Sequence, residues 1–182
     1  MINCEAGGSE VGRIGAGRRE FFMKEALKEA EKAFEADEVP VGAVIVYQKK
    51  IIARAHNQMR TLKDPTAHAE MIAITQASHF LRNERLNDCD FYVTIEPCPM
   101  CMGASVLARA RNLIYGAKDP KSGACGSVMK IGMDNKLNHK ITVRGGLLKD
   151  RCASLMTDFF NKKRREKSKW NPLSEGGLRE KI

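Results

Sequence analysis

Apolar residues recur at three- and four-residue steps between about Glu20 and Asp37: Phe22, Ala26, Ala30, Ala33 and Phe34, with Lys and Glu between them. That period places one apolar stripe on a helix, and Pro40 marks its exit. The next segment, Val41–Tyr47, is β-branched and almost wholly apolar, which reads as a buried strand. The polar step Gln48-Lys49-Lys50 leads into Ile51–Ala55 and predicts a hairpin. After a polar loop, Asp64-Pro65-Thr66 supplies start signals for a helix over Thr66–Gln76. Asp90–Ile95 is a strand, followed at once by Pro97 and a small-residue helix over Pro99–Arg109. Leu113–Gly116 and Ile141–Val143 read as further strands. The glycine-containing stretch from Ala117 to Asn138 between them is long enough to point to function. A final helix runs from Lys149 to about Lys167.

Strands alternating with helices, without internal repeats, predict one α/β domain, a sheet covered by helices. The pattern divides the chain into a flexible extension (1–19), the domain (20–168) and a fraying tail (169–182). Gly12–Gly17 superficially suggests a phosphate loop, but no strand precedes it and its glycine spacing is wrong.

The chain has 182 residues, 43% hydrophobic and 29% charged, as in water-soluble globular domains. No apolar run approaches the roughly 18 residues of a membrane span. Residues 1–19 hold five glycines and no apolar core of a secretory signal. A cytoplasmic protein without a membrane partner is expected. The net charge of +9 makes polyanions natural partners, because each phosphate neutralised releases counterions; plain solubility is the alternative. Six cysteines without a secretion signal argue against a disulfide framework. Cys4, Cys89, Cys125 and Cys152 stand alone and read as reduced, partly buried thiols.

Cys98 and Cys101 are different. They form a C-x-x-C pair opening a predicted helix, where unpaired N–H groups and the dipole favour thiolate, and at i and i+3 both sulfurs can point one way. His68-Ala69-Glu70 opens another predicted helix. One imidazole and two thiolates are a ligand set zinc accepts, and three protein ligands leave the fourth position for water, whose pKa then falls to about 7. Glu70, two residues from His68, can stand beside that water as proton carrier. H-x-E followed by P-C-x-x-C is the signature of zinc nucleobase deaminases. A redox C-x-x-C would leave His68 and Glu70 without purpose. A structural zinc site would need a fourth ligand such as Cys89 or Cys125. His56, His79 and His139 read as surface or hydrogen-bonded histidines.

From about Glu20 to Lys167 the sequence resembles the bacterial tRNA-specific adenosine deaminase family. The matching stretches are Val39–Val44, Asp64–Glu70, Thr94–Ala104, Tyr115–Ala124, Asn138-His139 and Asp158–Phe160 ahead of a basic tail. Ile131–Leu137 departs from the family pattern. The resemblance implies a three-layer cytidine deaminase-like fold, with one mixed sheet of about five strands and helices on both faces. It implies one zinc ion per subunit on His68, Cys98 and Cys101, with Glu70 catalytic. The substrate it implies is the wobble adenosine of a tRNA anticodon stem-loop, mainly in an arginine tRNA, converted to inosine by a homodimer. Substrate contacts carried over are Asn57 and the Ala69 backbone at the purine, with Asp119, Lys121, Ser122, Phe160 and Arg164 holding the loop. Residues 159–182 carry eight Lys or Arg against three Glu, a net +5, which suits a phosphate-binding face. A free guanine or cytosine deaminase with the same zinc site is the first alternative. A non-catalytic zinc module that binds RNA is the second.

Overall fold

A computed structural model of the protein describes residues 15–133 and 136–169. Cys4 and most of the two end segments, residues 1–14 and 170–182, lie outside this range. The opening apolar repeat forms α1 (Ala16–Glu35). It begins four residues before Glu20, inside the stretch read as extension, because the Gly15 carbonyl accepts the N–H groups of Arg18 and Arg19. The hairpin follows as β1 (Gly42–Tyr47) and β2 (Lys50–His56). A short helix that the sequence pattern does not announce, α2 (Met59–Leu62), precedes α3 (Ala69–Leu81). The α3 helix starts three residues later than Thr66. Asp64 Oδ1 accepts both the N–H and the hydroxyl of Thr66, each at 2.7 Å, turning the chain before the helix can begin. Then come β3 (Cys89–Ile95), α4 (Pro99–Leu107), β4 (Asn112–Ala117), β5 (Thr142–Arg144) and α5 (Lys149–Lys169).

The five strands form one mixed sheet in the order β2-β1-β3-β4-β5. β1 is antiparallel to β2 and β3, whereas β3–β4 and β4–β5 are parallel. Every residue of β3, the middle strand, is buried, so its side chains feed two cores by alternation. Ala43, Ile45, Phe91, Val93, Leu113 and Tyr115 face Ala69, Ala73 and Ala77 of α3 and Met102 and Val106 of α4. Val44, Val46, Tyr92 and Ile114 face Phe22, Met23, Ala26 and Leu27 of α1 and Cys152 of α5. Three layers result, as the family resemblance implies, and no helix of the described residues is long and apolar enough to cross a membrane.

The first strand lies hard against α1. A Cβ on Gly42 would meet the Ala26 carbonyl oxygen at 2.1 Å and the Ala30 nitrogen at 2.4 Å, both backbone atoms. Neither can swing aside as a side chain would. Gly42→Ala should therefore cost about 1–3 kcal/mol, the usual range for overpacking, read as a lowered urea midpoint with an unchanged m-value. A midpoint equal to that of the parent would contradict this tight packing.

Candidate active site

Two helices packed on the same face of the sheet deliver the reactive groups. His68 is the N-cap of α3, Cys98 is the N-cap of α4, and Cys101 sits in the first turn of α4. His68 Nδ1 lies 3.7 Å from Cys98 Sγ and 3.5 Å from Cys101 Sγ, with all three atoms within 4.8 Å of one another. A tetrahedral ion with bonds of about 2.0 Å to nitrogen and about 2.3 Å to sulfur separates such pairs by about 3.6 Å. The trio therefore fits a metal ion. Hydrogen bonding from the Cys101 thiol, against the pull of burial and with help from His68, takes the Cys98 thiol down to about 4. Donating to Cys98, together with burial, pushes Cys101 up, so Cys98 holds a thiolate at neutral pH. Among the described residues no other His, Cys, Asp or Glu joins the group. Cys89 and Cys125 are buried elsewhere, with thiols raised by burial to about 12, and Cys125 Sγ faces Met102 Sδ at 3.5 Å.

Glu70, in the first turn of α3, is 4% exposed, and its Oε2 has no hydrogen-bond partner among the described residues. Burial pushes its carboxyl above the ordinary range, against the pull of its own backbone N–H and His68. Beside it Asn57, also buried, accepts the Ala69 N–H through Oδ1 at 2.9 Å. With that oxygen engaged, the Asn57 amide nitrogen is the group left to donate. These residues line a cleft of about 190 Å³ together with Val39, Met59, Asp119, Ser122 and Met156. That is below the roughly 300–1,000 Å³ of drug-sized sites and suits one flat ring.

The chain matches the MafB19-like deaminase family over residues 18–164. It is 46% identical over 148 residues to a tRNA-specific adenosine deaminase of Bacillus subtilis, spanning 81% of this chain and 92% of that one. The chain belongs to the tRNA-specific adenosine deaminase family. A solved structure from work on A-to-I editing by tRNA:A34 deaminases at the wobble position of transfer RNA superposes with a TM-score of 0.72 at 46% identity, covering 74% of this chain and 98% of that one. A guanine deaminase of Bacillus subtilis shares the fold at greater distance, 30% identical with a TM-score of 0.54, covering 84% of this chain and 95% of that one.

Within this deaminase fold the sequence-predicted residues fall into two groups. His68, Glu70, Cys98, Asn57, Asp119 and Ser122 share the cleft, and buried Cys101 completes the trio with His68 and Cys98. The Ala69 backbone N–H is committed to Asn57 rather than standing free. Lys121 is exposed beside the cleft, its backbone N–H bound to Asp119 Oδ1 at 2.9 Å. Phe160 and Arg164 stand outside on α5, exposed, on the stripe that starts at Met156 and continues at four-residue steps. Of the remaining histidines, His56 faces Glu29 at 3.4 Å and His139 the Ala110 carbonyl at 2.7 Å, while His79 is exposed.

Among the charged residues lining the cleft, Glu96 is the one absent from the sequence-based assignment. Glu96 is 2% exposed and lies between the last residue of β3 and the metal-ligand turn. Its signals in the sequence are a charge directly after an apolar strand and a place inside the family-matching stretch Thr94–Ala104. Metal content separates this three-ligand reading from a closed structural site. Cys98→Ala or Cys101→Ala should reduce bound metal from stoichiometric to near zero by elemental analysis after dialysis, and Cys125→Ala should retain it. Loss of metal in Cys125→Ala would instead make Cys125 a fourth ligand.

Proposed function

We propose that this chain is a zinc-dependent, cytoplasmic, homodimeric enzyme that deaminates the wobble adenosine of a tRNA anticodon, chiefly of an arginine tRNA, to inosine with release of ammonia. The observation that carries this reading is the unpartnered carboxyl oxygen of buried Glu70 beside an open three-ligand metal group, in a chain 46% identical to a tRNA-specific adenosine deaminase. His68, Cys98 and Cys101 would hold the zinc, which when bound makes water a nucleophile at neutral pH.

Glu70 takes a proton from that water and passes it to the purine ring nitrogen next to the amino-bearing carbon. Once the oxygen has bonded to that carbon, the same carboxyl collects the remaining proton of the added hydroxyl and delivers it to the amine as the carbon–nitrogen bond breaks, so one group serves as base and as acid. Its raised pKa suits the second role as much as the first. The Asn57 amide donates to the purine edge, held in place by its bond to Ala69. The small cleft admits a base only after it has left its stack, and an anticodon loop presents one at low cost. Outside the cleft, the exposed ring of Phe160 offers a stacking face. Phe160 and Arg164 stand about 6 and 12 Å along α5 from Met156, a reach that suits a neighbouring base and a phosphate. Lys121 adds a cation beside Asp119 and Ser122.

Glu70→Gln should lower kcat at least about a hundredfold, the lower bound for losing a general acid–base, while zinc stays bound. Near-normal turnover with zinc retained would remove Glu70 from this role. For the substrate, sequencing of tRNA incubated with the protein should show adenosine read as guanosine at the wobble position. The KM for an anticodon stem-loop should rise steeply with salt. Turnover of free guanine that is indifferent to salt, with untouched tRNA, would overturn the tRNA reading in favour of a free-base deaminase.

A further inference from the structure

The loop that walls one side of the cleft has little regular structure of its own. Between β4 and β5 the only bridge among the described residues is Cys125 with Lys130. Yet residues 119–127 are tied down, and the ties converge on Glu96. Oε1 accepts the N–H groups of Cys125 at 2.9 Å and Ser127 at 3.1 Å. Oε2 accepts the Asp119 N–H at 3.2 Å and the Ser127 hydroxyl. The Ala124 N–H adds a bond to the Pro97 carbonyl at 2.8 Å. At Gly123 the loop passes so near that a Cβ would fall 2.5 Å from Glu96 Oε2. All four partners of the carboxylate are donors. Only an ionised carboxylate accepts on both oxygens; a glutamine amide must point a donor at one side. Asp119 and Ser122, on the first half of this loop, form the cleft wall.

We infer that Glu96 is the positioning residue of the substrate-binding loop, an anion around which residues 119–127 wrap so that Asp119 and Ser122 meet the RNA in a fixed place. Glu96 does not touch the reacting atoms. It acts through the loop, on substrate binding rather than on the chemical step. This rests on the tRNA deaminase reading above.

The test compares the zinc-loaded full chain with Glu96→Gln, Ser127→Ala and the double variant. In Glu96→Gln, hydrogen exchange of the Asp119, Cys125 and Ser127 amides should quicken about tenfold or more, as expected for losing bonds to a charged acceptor. The amides of β3 and α4 and the zinc content should stay as they are. With an anticodon stem-loop RNA, KM should rise about tenfold while kcat stays within about threefold. Ser127→Ala should move both readouts less, and the double variant should be no worse than Glu96→Gln alone, because the two residues share one interaction. Unchanged loop exchange, loss of zinc, or a fall in kcat at constant KM would each overturn the inference. The wild-type chain on the same RNA is the control. If it forms no inosine in that RNA, the underlying reading fails, and the exchange data alone then decide whether Glu96 holds the loop.

Discussion

Two helix starts that meet at one point are what the rest of this molecule serves. His68 and Cys98 occupy N-cap positions, yet neither makes a side-chain capping bond. A helix start without a cap costs about 0.5–2 kcal/mol, and here both caps are given over to ligands. The structure compensates from outside. Asn57, at the exit of β2, accepts the Ala69 N–H in place of a cap. Pro99 opens α4 with no N–H to satisfy. The start of α4 brings its partial positive charge to the Cys98 thiolate, so the unpaired N–H groups there favour the form of cysteine that binds metal.

Three buried glutamates show how environment divides labour among identical side chains. Glu38 accepts the N–H and hydroxyl of Thr61, holding the short helix that carries Met59 to the cleft. Glu96 accepts four donors from the opposite loop. In both, burial works to raise the pKa and the donors outweigh it, so both carboxyls sit below their ordinary range. Glu70 has an unpartnered oxygen instead and is shifted the other way. Groups whose surroundings push their pKa values apart mark structural and chemical roles, and here the unpartnered one is beside the metal ligands.

What the sequence shows and what it hides follow from the range of the interactions. Strands β1, β3 and β4 are legible because burial on both faces demands continuous apolar runs. The metal trio is legible because ligand chemistry restricts residue type and spacing so tightly. Helix ends are not. α1, α3 and α4 each finish with a non-glycine residue in the left-handed region, Asp37, Arg82 and Arg109. The two residues at each end bond back to the last turn, as in Glu38 N–H to the Ala33 carbonyl at 2.9 Å and Ala110 N–H to the Ser105 carbonyl at 3.0 Å. Glycine is the usual sign of this ending, and these three positions lack it. Glu96 and the capping role of Asn57 stay hidden for another reason: their partners lie 12 to 31 residues away, and no local pattern records them.

The bond between Asn57 and Ala69 has a mechanical consequence. Asn57 directly follows β2, and Ala69 opens the helix that holds Glu70 in its first turn and His68 at its N-cap. In the function proposed, that fastening holds the purine-reading amide and the proton carrier in a single frame. A purine that sits wrongly against Asn57 is therefore displaced from Glu70 by the same amount, and recognition and reaction cannot drift out of step.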